Sequence, residues 1–286
     1  MGLMPSDSQV VMVNGEPVRY FRAGSGPPLV LLHGLGGAAV VWYRNLPVLA
    51  ERYTVYAPDL WGPGRHPGSQ SLTPERGVRF LFGFMDALGH ASAHVVGSSL
   101  GGLIAGFAVA QDPSRVNSLT LVDSAGLGRE ISFAQRLISL PIVGEIVFRP
   151  SLKRIKRMLR MLVRNDQAVT AELTDALYEA RTQPGVAHQM LSALRAGVNI
   201  FGVRSSVQIP NLRAAGVPTL ILWGALDPLL PLAHARSAER TMPGSKLVVI
   251  DDVGHWGYLE APDRFNNVLL EFLDANSRLE AKRPLG

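Results

Sequence analysis

The sequence predicts an α/β fold, a mostly parallel sheet with helices on both faces and one inserted helical lid. Three observations predict it. Short apolar runs alternate with helix-like segments, the pattern of strands buried on both faces joined by crossover helices. The alternation stops once, between Val122 and Thr219, where no strand-like run is found. The 286 residues are 47% hydrophobic and 18% charged, enough apolar material for a large core and too much for a disordered chain.

The elements follow in order. Apolar runs over 10–13 and 18–21 flank Asn14-Gly15, a strong hairpin-turn signal. Pro27-Pro28 then precedes the run Leu29-Val30-Leu31-Leu32. Similar runs, read as strands, lie over 53–57, 94–96, 119–122, 219–223 and 247–250. Helices are expected between them over 74–88, 100–111, 232–241 and 262–275. Within the interruption, helical spacing covers 132–139, 151–163, 170–181 and 187–199, too much chain for a simple crossover loop. The expected organisation is a core over 1–125, a helical lid over 126–210, a second core part over 211–275 and a polar tail over 276–286. Helices stacked over the carboxyl ends of the strands would cover any site there.

The chain contains no cysteine, which excludes disulfides, thiolate catalysis and cysteine-ligated metals. No apolar run approaches the ~20 residues that span a bilayer, and residues 1–9 show no basic start followed by an apolar stretch. The expectation is a cytoplasmic protein without an integral membrane segment; self-association is left open. The net charge of +5 has a local origin. Arg149, Lys153, Arg154, Lys156, Arg157, Arg160 and Arg164 fall in a stretch without an acid, and Leu152, Ile155, Leu159 and Leu162 recur among them at helical spacing. This reads as an amphipathic helix with a solvated basic face; an entrance for acidic substrates or a membrane-surface contact are the sharper readings. No nucleic-acid motif accompanies the cluster, and no nucleic-acid partner is expected.

The most specific chemical signal is Gly97-Ser98-Ser99-Leu100-Gly101-Gly102, which follows the strand-like run at 94–96 and opens an apolar helix. That is the strand–turn–helix setting of the G-x-S-x-G nucleophile elbow. The glycines permit strand and helix to approach, the turn lifts the Ser99 hydroxyl off the sheet, and the helix beginning at Leu100 aims its positive end at the site. A serine hydroxyl needs a base, and a base needs a carboxylate to orient it. His255 lies just after the last strand and Asp227 just after the one before, giving the order Ser99, Asp227, His255. Asp123, at the end of the 119–122 strand, is the rival acid; with Asp227 in that role it becomes a loop cap or a hydrogen bonder behind the site. His234 reads as a helix-surface residue, and His66, His90, His94 and His188 as structural or solvated. After the first central strand comes His33-Gly34-Leu35-Gly36-Gly37, whose backbone can supply an oxyanion hole from the N–H groups of Leu35 and Leu100, with His33 bracing the loop. The loop matches neither G-x-G-x-x-G nor G-x-x-x-x-G-K-[ST], so no nucleotide site is expected.

Taken together, His33-Gly34-Leu35-Gly36, Pro58-Asp59-Leu60-Trp61-Gly62-Pro63-Gly64, the Ser99 elbow, Gly224-x-x-Asp227 and Gly254-His255 resemble the α/β-hydrolase superfamily. The resemblance spans nearly the whole chain outside the lid. It implies the α/β-hydrolase fold, hydrolysis through a serine nucleophile, and no metal or cofactor. Ser99 argues against branches that use an aspartate nucleophile. Gly254-His255-Trp256, Phe265-Asn266 and Leu173-Thr174-Asp175-Ala176-Leu177-Tyr178-Glu179-Ala180-Arg181 are similar to the meta-cleavage product hydrolases, which break a C–C bond in vinylogous keto acids. That likeness implies that Arg181 holds the substrate's carboxylate and that Trp256 adjoins the substrate; a surface residue ending a lid helix is the alternative for Arg181. Gly34-Leu35-Gly36-Gly37, Ser98 and Asp123-Ser124-Ala125-Gly126-Leu127 depart from that subfamily's usual loops. The reading is therefore a carboxylesterase acting on a small-molecule ester or related carbonyl substrate. Leu137, Ile138, Ile142, Leu159 and Leu162 are expected to line an apolar cleft. C–C hydrolysis is the alternative, followed by perhydrolysis and non-catalytic ligand binding.

Overall fold

A computed structural model describes residues 3–4, 7–62, 72–210, 212 and 215–280. His66, Pro63, Gly64 and the last six residues lie outside them. The hairpin signal at Asn14-Gly15 joins β1 (Ser8–Val13) to β2 (Glu16–Ala23). Then come β3 (Pro28–Leu32), α1 (Leu46–Leu49), β4 (Thr54–Pro58), α2 (Pro74–Ala87), β5 (Ala93–Ser98), α3 (Leu100–Gln111) and β6 (Val116–Val122). After an insertion follow β9 (Thr219–Gly224), α9 (Leu232–Thr241), β10 (Lys246–Ile250), α10 (Gly257–Glu260) and α11 (Pro262–Glu280). The insertion itself holds α4 (Phe133–Ile138), α5 (Val143–Phe148), α6 (Leu152–Leu162), α7 (Ala171–Thr182), α8 (Val186–Gly197) and a small hairpin of β7 (Val198–Asn199) and β8 (Gly202–Val203).

The eight-stranded sheet has the order β1-β2-β4-β3-β5-β6-β9-β10. β1 with β2 and β2 with β4 pair antiparallel at one edge, and every pairing from β4 to β10 is parallel. β3, β4, β5 and β9 are buried along nearly their whole length, which is why they read as unbroken apolar runs rather than alternating ones. Two apolar layers flank the sheet. One gathers Phe84, Ile104, Leu121 and Trp223, the other Trp42, Leu159, Tyr258 and Phe265. Thus α6 of the insertion shares a layer with the core instead of standing apart.

Three expectations need correction. Residues 276–280 are no tail: α11 continues to Glu280. Its last turns are held by tertiary polar contacts that periodicity cannot reveal. The Ser277 hydroxyl contacts His94 Nε2 at 3.1 Å and the Tyr53 hydroxyl at 3.2 Å. The insertion also contains α5, hidden in the sequence by Pro141 and Gly144, and the β7–β8 hairpin. Finally, His234 is 5% exposed, because the first loop of the insertion covers it and Glu130 Oε2 lies 2.7 Å from its Nε2.

Candidate active site

Sheet register places the proposed chemistry. Leu32 pairs with Gly97, Ser98 with Val122, Val122 with Leu222, and Gly224 with Ile250. The segments that leave β3, β5, β6, β9 and β10 therefore emerge at one sheet edge. They carry Gly34-Leu35, Ser99, Asp123, Asp227 and His255.

At the β5–α3 turn, Ser99 has φ +54° and ψ −114°, a conformation rare for a residue with a side chain. Its N–H donates to Val122 O at 2.9 Å and its carbonyl accepts from Ala125 at 3.1 Å, so both neighbours of the turn are tied to β6. Strand and helix touch: a Cβ on Gly97 would stand 2.3 Å from Gly101 O, and one on Gly101 2.3 Å from Leu32 O. Any other residue at either position would push the elbow apart. A Cβ on Gly34 would lie 2.9 Å from Ser99 Cβ, which fixes how closely the loop after β3 approaches the serine. His33 braces that loop as expected, accepting from Leu60 N–H at Nε2 (2.9 Å), with Nδ1 2.9 Å from Gly34 O. Leu100 opens α3, where a helical N–H has no acceptor within the helix.

Asp227 and His255 come from loops fastened to each other. Ala225 donates to Ile250 O at 2.9 Å and Leu226 to Val253 O at 3.0 Å. Asp227 Oδ2 meets His255 Nδ1 at 2.7 Å, while Oδ1 accepts from Leu229 N–H at 2.7 Å and Leu230 N–H at 3.1 Å. The Asp227 side chain is 1% exposed and that of His255 3%. With Nδ1 donating to the carboxylate, Nε2 is the ring's free base. Ser99 and His255 share a cavity wall, and no hydrogen bond joins them among the described residues. Such contacts often tighten only when substrate is bound.

Asp123 stands beside this pair. Ligand atoms of Asp123, Asp227 and His255 lie within 4.8 Å of one another. Asp123 has φ +42°, is 1% exposed, and accepts from Gly224 N–H at 2.8 Å through Oδ1, while Oδ2 has no partner. Burial pushes its carboxyl well above the usual carboxylate range, and the negative charges of Asp227 and Glu260 push it the same way. The imidazole's bond goes to Asp227, whereas Asp123 bonds the Gly224 N–H.

The cavity occupies about 530 Å³ and is walled by Leu35, Ser99, Leu100 and His255 from the core and by Ile138, Phe148, Ile155, Met158, Leu162 and Arg181 from the insertion, among others. Of the expected apolar lining, Ile138 and Leu162 are present; Leu137, Ile142 and Leu159 are not among the wall residues. Leu159 is packed in the core and Ile142 is 73% exposed. Nor does Trp256 reach the wall: it is 1% exposed, with its ring 6.2 Å from Tyr258. Arg181 is no surface residue. It is 6% exposed, its Nη1 contacts Met158 Sδ at 3.2 Å, and its Nε has no partner. Met158 Sδ in turn lies where a Cβ on Gly36 would be 3.2 Å away, which brings the guanidinium end of Arg181 near the loop after β3. Loss of water pushes its pKa down to about 10.

One participant had no signal in the sequence. Glu260, in α10, accepts the N–H groups of Gly254 (2.7 Å), Arg164 (2.5 Å) and Asn165 (3.0 Å). His255 N–H donates to Leu162 O at 2.8 Å, and the Arg164 guanidinium reaches Leu226 O. The end of α6 is thereby bonded to both loops that carry Asp227 and His255.

A family model described as alpha/beta hydrolase fold matches residues 27–262, and the chain belongs to that family. The chain is 31% identical over 281 residues to the 2-hydroxy-6-oxo-6-phenylhexa-2,4-dienoate hydrolase of Burkholderia cepacia, covering 93% of this chain and 96% of that one. It is 34% identical over 271 residues to a dihydrolipoyllysine-residue acetyltransferase component of the acetoin cleaving system of Cupriavidus necator, covering 93% and 68%. In structure it is similar to a mutant of the meta-cleavage product hydrolase CumD from Pseudomonas fluorescens IP01, with a TM-score of 0.79, 27% identity and coverage of 93% and 97%.

Proposed function

We propose that this α/β hydrolase uses Ser99 as nucleophile, His255 as general base and Asp227 as the orienting acid, and that its substrate is an apolar carbonyl compound bearing a carboxylate. The observation that carries the substrate class is Arg181. Among the described residues no carboxylate pairs with it, although it is buried and lines the same cavity as Ser99 and His255. A buried cation without an anion is costly, and an incoming carboxylate removes that cost with a bidentate pair. The surrounding wall of Leu35, Ile138, Phe148, Ile155 and Leu162 suits an aryl or alkyl body. The substrate in the name of the Burkholderia cepacia relative has these two parts, a dienoate acid and a phenyl ketone. This raises C–C hydrolysis of a vinylogous keto acid above the simple carboxylesterase that the loop sequences favour.

The proposed steps follow from the geometry. His255 Nε2 takes the Ser99 proton as Oγ attacks the ketone carbon. The resulting oxyanion is held by the N–H groups of Leu35 and Leu100, with the positive end of α3 behind them. Asp227 stabilises the imidazolium. The C–C bond then breaks, its electron pair passes into the conjugated keto acid, and His255 returns the proton to that carbon fragment. Water, activated by the same imidazole, releases the acyl group from Ser99. With an ester the proton goes to the alkoxide oxygen instead, and no group need grip a carboxylate.

A panel of one vinylogous keto acid and short and long neutral p-nitrophenyl esters separates these readings. Arg181→Ala should lower kcat/KM for the keto acid by about 2–5 kcal/mol in transition-state free energy and leave neutral esters almost unchanged. Efficient turnover of neutral esters, a poor keto acid and no effect of Arg181→Ala would return the carboxylesterase to first place.

A further inference from the structure

The insertion surrounds the cavity mouth with features that hydrolysis does not use. Ile142, Ile146, Val147, Leu152 and Met161 stand 73%, 55%, 41%, 47% and 52% exposed. Ile146, Val147 and Met161 also line the cavity, which makes them its rim. Ile142 has φ +70°, an unfavourable backbone for a β-branched residue, and its side chain gains no packing in return. Single exposed apolar side chains are ordinary, but several around one opening mark a contact surface.

The same surface is cationic. Helical periodicity divides α6 into three stripes. Ile155, Leu159 and Leu162 are buried; Arg154, Arg157 and Met161 line the cavity mouth; Lys153, Lys156 and Arg160 are exposed and do not line it. Arg149, between α5 and α6, adds a further rim cation. No acidic residue lies between Arg149 and Arg164. Among the described residues the one carboxylate to reach these side chains is Asp166, 3.8 Å from Arg160. A helix with a buried stripe, a basic outer face and apolar residues beside it suits an interface between water and anionic lipid.

We propose that this face docks on an anionic lipid surface, with Ile142, Ile146, Val147 and Leu152 entering the headgroup boundary and the basic stripe of α6 meeting lipid phosphates, so that the cavity opens toward the membrane. Charge decides against a second copy as occupant: a two-fold contact through this face would set one basic segment against another. An uncharged partner would leave the stripe unanswered. No helix among the described residues is long and apolar enough to cross a membrane, so the contact is peripheral.

Vesicle flotation tests this without using turnover, so its outcome is independent of the proposed reaction. The full chain should float with vesicles of phosphatidylcholine and phosphatidylglycerol in equal parts, not with phosphatidylcholine alone, and raised salt should release it. Lys153→Gln with Lys156→Gln should weaken binding about tenfold or more, since each basic residue near such a surface contributes several-fold. Ile142→Ser with Leu152→Ser should also weaken it. Circular dichroism and thermal melting check that each variant is folded. Absence of flotation, equal flotation with both vesicles, salt-insensitive binding by the unaltered chain, or folded variants that bind undiminished would each overturn the proposal. So would capture by polyglutamate that matches the vesicles and ignores Ile142→Ser with Leu152→Ser, which would assign the face to an acidic protein.

Discussion

The sheet edge and the helical insertion share one cavity but treat polar groups in opposite ways. At the sheet edge two carboxylates are held by several donors each, although Asp123 Oδ2 has none: Asp227 receives donors from His255, Leu229 and Leu230, and Glu260 receives three backbone N–H groups. In the insertion Arg181 is buried against sulfur, with its Nε free. A run of cations there faces solvent beside exposed isoleucine and valine. The first arrangement is preorganised, with dipoles already aimed where charge will develop. The second leaves charge and apolar surface to be satisfied by whatever binds. On the proposed reading one region serves the reaction step and the other chooses what undergoes it, and substitutions in the two should fail differently.

The largest expected effect lies at the sheet edge. Ser99→Ala should lower kcat by up to ~10⁶ for every substrate alike, since loss of a triad nucleophile leaves little beyond the oxyanion hole and binding. A fluorophosphonate probe should modify the unaltered chain at Ser99 by peptide mapping. Labelling elsewhere, or activity surviving in the variant, would break the comparison at its first term.

The next effect separates the two acids. Asp227→Asn keeps the shape but loses the charge that stabilises the imidazolium, and should cut kcat by about 10⁴ with KM little changed. Asp123→Asn should do far less, because Asp123 bonds Gly224 and not the imidazole. Steady-state kinetics of the pair decides; reversed magnitudes would move the acid to the end of β6.

What could be read from the sequence divides along the same line. Ser99 was legible because a nucleophile elbow demands glycines at fixed offsets between a strand and a helix, all within six residues. Asp227 and His255 were legible because each follows an unbroken apolar run, and parallel register carries such positions to one edge. The helices α3 and α9 matched their expected bounds for the same local reason. Glu260 and the burial of His234 were illegible, since each depends on distant segments meeting, and Arg181 was singled out only through a resemblance, with the surface left as the alternative. Arg181 ends a helix that reads equally well as solvated, and only the packing of α6 and α7 draws its guanidinium inward. Trp256 shows the reverse error: beside His255 in sequence, it turns into the core because neighbouring residues off a loop need not face the same way. The last turns of α11 were missed because hydroxyl contacts, not apolar spacing, hold them.

The smallest effect on rate belongs to Asp123, whose consequence is for stability. Burial raises its folded-state pKa above the ordinary ~3.9 of an aspartate, and the charge of Asp227 adds to the shift. Below the unfolded-state value the carboxyl is protonated in both states and ionisation opposes folding not at all. As pH rises above that value the unfolded chain releases its proton while the folded one retains it. Stability is therefore lost progressively until pH passes the folded-state pKa. Asp123→Asn cannot ionise, yet keeps a side-chain oxygen for the Gly224 N–H. The Tm of the variant relative to the unaltered chain should accordingly be lowest in acid and should climb toward neutral pH. Parallel Tm profiles across that range would mean that Asp123 is charged in the folded protein. Two carboxylates would then sit beside His255, and the division of labour between Asp123 and Asp227 would have to be redrawn.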